Sequence, residues 1–253
     1  VERPDVPARA SWAARPTPFG RWVRVHRLEL RPSLGVGDGR VDAKRTVLAF
    51  AGDVRDDVVD EATLTGPAVQ ARLPARVLFL GGRTWAEAVA VGGTAGGARW
   101  LSGEARLGVS GGNRLVGELD LGVVVNPRLE LRDGAPRTVG LTGLIAPGAR
   151  LVYGAGWQVA VDGRLAGRAC RDAGGRVAVL FACGAASLDA GLAVQRELAH
   201  ATPFVRAGIR SFYDVVATGR PPDSPFQIDT GSVFVAGLSV GASFRVGEAR
   251  EGL

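Results

Sequence analysis

Residues 230–246 carry the clearest hydrophobic pattern in the chain. Phe234, Ala236, Leu238, Val240, Ala242, Phe244 and Val246 fall on one face of an extended strand, and Val235, Gly237, Ser239, Gly241, Ser243 and Arg245 on the other. Successive side chains of a strand point to opposite faces, so this segment has one continuous apolar face and one small or polar face. It is longer than the strands of most soluble sheets and long enough to cross a bilayer at a tilt. The same alternation recurs along the chain. Leu28, Leu30 and Leu34 oppose Arg27, Glu29, Arg31 and Ser33; Leu101, Ala105, Leu107 and Val109 oppose Ser102, Glu104 and Arg106. Leu115, Leu119, Leu121 and Val123 oppose Glu118 and Asp120, while Leu151, Tyr153, Ala155, Trp157, Val159 and Val161 share a face opposite Gln158, Asp162 and Arg164. Ala190, Leu192 and Val194 oppose Asp189, Gln195 and Glu197, and Val205, Ala207 and Ile209 oppose Arg206 and Arg210. No stretch of comparable length has a 3.6-residue period, so little helix is expected.

The connections fall into two kinds. Short turns are predicted near 37–39, 81–83, 111–113, 147–148 and 199–202, all but the last marked by glycine or proline. Longer polar connections are predicted at 53–66, 126–137, 170–183 and 218–229, with 92–97 as the shortest of that set. Counted back from the C-terminus the two kinds alternate, as they do when short turns gather at one end of a barrel and longer loops at the other. This predicts an all-β fold, a transmembrane antiparallel up-and-down β-barrel. Eleven strands can be placed, starting with 21–36. An even number requires one more within 6–20, giving about twelve, with ten or fourteen open. Pro4, Pro7, Pro16 and Pro18 argue against a long strand there. With no internal repeat and no linker, residues 1–253 read as one barrel domain in which 1–20 is an N-terminal segment of unassigned structure.

Alternation alone does not say which face points outward, since a soluble barrel has apolar residues inside. The polar faces here are rich in Gly and Ser as well as charges, which suits a lumen crowded by Arg and Glu. The apolar faces are long and nearly free of charge, as lipid contact demands. The last strand also resembles the C-terminal assembly signal of Gram-negative outer-membrane β-barrels. That signal has a polar residue, a glycine two positions on, then two hydrophobic residues separated by one, here Ser239, Gly241, Phe244 and Val246. The resemblance implies export with a secretion signal, insertion by the barrel-assembly machinery, contact with outer-membrane lipid and residence in the cell outer membrane. A chain that begins at Val1 and contains no Met is consistent with a removed leader.

Composition narrows the chemistry. The longest largely apolar run, 177–188, stops at Asp189 and is too short for a transmembrane helix. The net charge is +6 and nearly all of the positive charge is arginine, Lys44 being the only lysine. The arginines are dispersed, with no basic run and no interleaved aromatics, which argues against nucleic acid. His26 and His200 are the only histidines, and neither has a catalytic partner nearby in sequence. No His/Cys/Asp grouping has metal-ligand spacing and no glycine-rich turn opens a helix, so neither a cofactor nor an enzymatic role is expected. Cys170 and Cys183 are a candidate disulfide for an exported protein. Trp22, Trp85, Trp100, Trp157, Phe212 and Tyr213 are candidate anchors at the membrane interface.

What remains is a set of charges on the inward faces: Arg27, Glu29, Arg31, Glu104, Arg106, Glu118, Asp120, Asp162, Arg164, Glu197, Arg206, Arg210 and Arg245. Lining a water-filled path, they would make a narrow passive channel for small polar or anionic solutes. Paired across a narrow interior, they would make a sealed structural barrel anchoring a larger envelope complex, alone or as a homo-oligomer. A soluble barrel binding an apolar ligand is the third reading.

Overall fold

The alternating segments pair as antiparallel strands. The structure, a computed structural model, describes residues 25–51, 54–79, 83–171, 177–179, 184–198, 201–218 and 226–246. Its strands are β1 (Val25–Leu30), β2 (Ser33–Ala51), β3 (Val54–Phe79), β4 (Thr84–Ala95), β5 (Ala98–Gly111), β6 (Leu115–Arg132) and β7 (Ala135–Ala155). They continue with β8 (Trp157–Gly167), β9 (Ala169–Arg171), β10 (Val177–Val179), β11 (Ala185–Arg196), β12 (Ala201–Thr218) and β13 (Phe226–Val246). From β2 onward each strand of the main sheet pairs with the next one in that sheet, and β13 returns to pair with β2, which closes a barrel. β9 and β10 form a separate hairpin in the connection between β8 and β11.

β1 and β2 are one stave. Leu30 lies opposite Ala75 and Phe244, and Ser33 opposite Arg72 and Gly241, so the register passes through Arg31-Pro32 without a shift. The Arg31 N–H still donates to Pro74 O at 3.0 Å, and Pro32 O accepts from the Ala242 N–H at 3.3 Å. Pro32 has no N–H to give, which marks the interruption. The barrel therefore has ten staves, one of the counts the sequence left open. Two expected turns, at 37–39 and 147–148, lie inside β2 and β7. One turn was hidden: Gly156 (φ 75°) joins β7 to β8 in the middle of the apolar series from Leu151 to Val161. The polar stretches at 53–66 and 126–137 belong mostly to long strands and not to loops. The β6–β7 hairpin ends in a tight turn at Asp133-Gly134, where both φ values are positive (51° and 70°), the geometry of a type I′ turn. The strand expected within 6–20 lies outside the described residues.

The outward face fixes the barrel's surroundings. Leu34, Val36, Leu73, Leu101, Leu107, Leu119, Leu121, Leu141, Val161, Leu192, Leu238 and Val240 all point out and are exposed. On β2 the outward positions are apolar from Leu34 to Val36, continuing the β1 leucines, and turn polar at Asp38 and Arg40. On β3 they are apolar below Val69 and polar at Thr65, Thr63 and Glu61. The resulting apolar belt matches the ~9–11 residues that a tilted strand needs to cross a bilayer. Within the belt the charged side chains point inward. This is the inverse of a soluble barrel and excludes the apolar-ligand reading. The chain has the architecture of an outer-membrane β-barrel.

Both described ends of the barrel strand series, Val25 and Val246, lie at one end, here called the terminal end, together with the connections from β3 to β4, β5 to β6, β7 to β8 and β11 to β12. At the opposite, distal end, β2–β3, β6–β7 and β12–β13 rise beyond the belt. There Asp42 accepts hydrogen bonds from Arg40, Thr63 and Ser232, tying three staves together outside the membrane zone. Partial burial would raise the Asp42 carboxyl, but the hydrogen bonds from Thr63 and Arg40 outweigh it and hold it below the ordinary carboxylate range. Near the distal end a register shift between Arg128 and Leu129 flips the inward parity of β6. Leu129 and Leu131 are buried as a result. A Cβ placed on Gly231 of β13 would meet Leu129 Cβ at 2.7 Å, so β6 leans across the mouth onto the stave facing it.

Candidate functional site

The lumen is built on glycines that make room for arginines. A Cβ on Gly191 or on Gly208 would collide with the Arg206 guanidinium, and one on Gly148 would meet Asp120 Oδ1 at 2.7 Å and Arg164 Nε at 3.0 Å. Without these glycines the long cations could not lie flat against the wall, where they reach acids on other staves.

Glu104 of β5 is the hub. Its carboxylate lies 3.0 Å from Arg106, 3.0 Å from Arg164 of β8 and 3.0 Å from Arg210 of β12, with Arg72 of β3 at 3.9 Å. β5 and β12 stand on opposite sides of the ring of staves, so the Arg210–Glu104 pair crosses the lumen. Arg210 also donates to Ser102 Oγ at 3.1 Å, which in turn donates to Asn126 Oδ1 at 3.0 Å. Asp189 of β11 takes Arg206 at 2.7 Å and Arg72 at 3.3 Å, and Arg206 reaches Asp162 at 2.7 Å. Arg76 bridges Glu118 (3.0 Å) and Glu87 (3.4 Å), and Arg106 meets Glu87 at 3.0 Å. Arg164 closes on Asp120 at 3.1 Å. In a low-dielectric interior such pairs hold only when each charge has several partners, which this lattice provides.

Towards the distal end the lumen turns apolar. Val41, Val89, Val91, Trp100, Leu129, Phe212 and Val233 form one buried cluster. The Trp100 and Phe212 rings, from facing staves, meet edge to face with centroids 6.3 Å apart. Arg210 sits below, its guanidinium 5.7 Å from the Trp100 ring centre. On the terminal side of this lid the charged walls enclose a cavity of about 130 Å³.

The structure brings Glu104, Arg106, Glu118, Asp120, Asp162, Arg164, Arg206 and Arg210 into this one network. Arg31 lines the cavity. Arg245 sits apart at the terminal rim, 3.0 Å from Glu197 and 3.9 Å from Glu29. The side chains of Arg27 and His26, and the whole of His200, lie outside the described residues. Of the assembly-signal positions, Ser239 points inward, its hydroxyl donating to Arg206 O at 3.4 Å. Phe204 covers Gly241, and Phe244 and Val246 face outward.

The aromatic anchors need correction. Trp85, Trp100 and Phe212 are buried in the lumen, where packing and Arg stacking hold them; Arg76 lies 4.0 Å from the Trp85 ring centre. Trp157 and Tyr213 do face outward, and Trp22 lies outside the described residues. The Cys170–Cys183 pairing also falls outside them, and there is no disulfide among the described residues. Sequence reasoning did not select Arg72, Arg76, Glu87, Arg150 and Asp189 as inward charges. The signal was present on β3, where Gln70, Arg72 and Arg76 alternate with Ala71, Leu73 and Val77. On β4 it was masked, because the inward face carries Trp85, Val89 and Val91 and the outward face mostly alanine.

No protein-family model matches the sequence, and no curated protein matches it. Among solved structures, the chain is similar to the β domain of the Bordetella autotransporter BrkA at 13% identity, covering 83% of this chain and 98% of that one with a TM-score of 0.32. It is also similar to the Salmonella injectisome secretin InvG in its open-gate state (10% identity, 90% of this chain, 63% of that chain, TM-score 0.23). A third match is a Pseudomonas aeruginosa FadL homologue (9%, 85% and 90%, TM-score 0.19). The membrane assignment rests on the chain's own inverted faces.

Proposed function

We propose that this protein is a non-conducting, non-catalytic barrel of a Gram-negative outer membrane, placed there by the barrel-assembly machinery, which anchors an envelope assembly through its distal end. The observation that carries this reading is the meeting of side chains from opposite staves. Arg210 and Glu104 touch across the lumen, Trp100 and Phe212 cap them, and Leu129 lies on Gly231 above. Conduction needs a continuous wet path with binding weak enough to release. Here most of the inward charges are paired with one another, and an apolar cluster stands in series with them. The long distal hairpins with polar outward faces supply the surface for partners.

Planar-bilayer recording of the detergent-purified protein tests this. The expected result is a heat-modifiable protein that inserts and stays silent. Discrete steps with anion preference would overturn the sealed reading in favour of a narrow passive channel, with Arg206 and Arg210 as its selectivity residues.

A further inference from the structure

We infer that the cavity on the terminal side of the aromatic lid is a binding site for a small oxyanion of the phosphate or carboxylate class, held by Arg31, Arg76 and Arg150. The cavity walls carry eight arginines and five carboxylates, and Glu104 behind them pairs with three of those arginines, which leaves an excess of two positive charges. That excess is not spread evenly. The pairs at Glu104 and Asp189 satisfy the side nearest the lid, whereas the arginines nearest the terminal end are under-neutralised. Arg31 has no carboxylate within ion-pair distance among the described residues; its guanidinium sits 5.6 Å from the Phe204 ring centre. Arg150 has its nearest carboxylate, Glu118, at 3.8 Å, and donates to Gln195 Oε1 at 3.2 Å. Arg76 shares that same Glu118, and its buried Nε makes no hydrogen bond, with Glu87 Oε1 3.4 Å away as an ion-pair partner only. Nε of Arg72 and of Arg106, both on the same wall, are buried without acceptors as well.

Buried guanidinium donors without acceptors are costly, and arginine's planar fork matches the oxygen geometry of phosphate and carboxylate. One small oxyanion among these three arginines would offset the excess charge and give the unbonded Arg76 Nε an acceptor. The interrupted stave contributes directly: Arg31 sits at the break before Pro32 and lines the cavity. Access is from the terminal side, because the Trp100–Phe212 contact closes the other. The site does not depend on whether the barrel conducts.

The experiment titrates inorganic phosphate into the detergent-folded protein by calorimetry, with sodium chloride at matched ionic strength as the reference. Saturable binding to the wild type is expected, with Arg31→Gln and Arg150→Gln each weakening it about tenfold or more. Arg40→Gln, on the exposed distal surface, should leave it unchanged. Heat-modifiability on gels verifies that each variant is folded, and the two lumen variants are read independently. Phosphate indistinguishable from chloride would overturn the proposal, as would equal binding by folded Arg31→Gln and Arg150→Gln.

Discussion

Glu104 concentrates the energetics of the lumen in one side chain. It is 1% exposed and has three arginines at 3.0 Å. Removing one partner of a buried ion pair leaves uncompensated charge in a low-dielectric site and typically costs ~3–5 kcal/mol. Glu104→Gln should therefore lower the unfolding free energy in detergent or vesicles by an amount in that range. Adding Arg210→Gln should recover part of the loss, because the double variant removes one of the stranded cations; strict additivity of the two losses would show that the pair is not coupled. Arg40 and Asp42, at 2.9 Å but with the Arg40 side chain 59% exposed, make the contrasting case. Asp42→Asn should cost much less than Glu104→Gln, since exposed pairs contribute ~0–1 kcal/mol.

The seam between β2 and β13 is where the barrel closes, and it is held at the scale of the strand pair. Gly37 faces Gly237 in the register. A Cβ on Gly37 would collide with Ala236 O and come within 2.6 Å of the Gly237 Cα, and one on Gly237 would come within 2.9 Å of the Gly37 Cα. Backbone, unlike a flexible side-chain end, cannot step aside. Gly37→Ala should reduce the yield of the folded, heat-modifiable form, whereas Gly143→Ala, with open space around the added methyl, should fold like the wild type. The same glycines explain what was and was not legible in the sequence. Gly37 and Gly39 read as a turn because glycine punctuates loops, yet here they allow close approach within a strand. The Gly156 turn was invisible because an odd-length connection preserves parity: Leu151, Tyr153, Trp157 and Val159 all face outward on either side of it. The outward series were readable because lipid imposes one simple rule on alternate positions. The inward partners were not, because Glu104 meeting Arg210 depends on which staves face each other after closure, and that is set by the total strand number.

For the molecule as a whole, the decisive property is inversion: apolar outside, charged inside. A charge on the lipid face should therefore be costly in proportion to its depth. Leu121 lies well inside the outward series of β6 and is 59% exposed, while Leu115 is the first residue of that strand, at the terminal rim. An arginine facing lipid costs ~2–4 kcal/mol at the midplane and ~0–1 near the interfaces. Leu121→Arg should thus lower the unfolding free energy in lipid vesicles by an amount in the upper range, and Leu115→Arg by little. Neither leucine contributes to the lumen lattice, so the difference reports on the surrounding medium and not on internal packing. In water both sites are simply exposed positions on a strand, where arginine would be tolerated alike. Equal, small effects at the two positions would therefore remove the membrane from the account, and with it the reason why the chain collects its arginines inside.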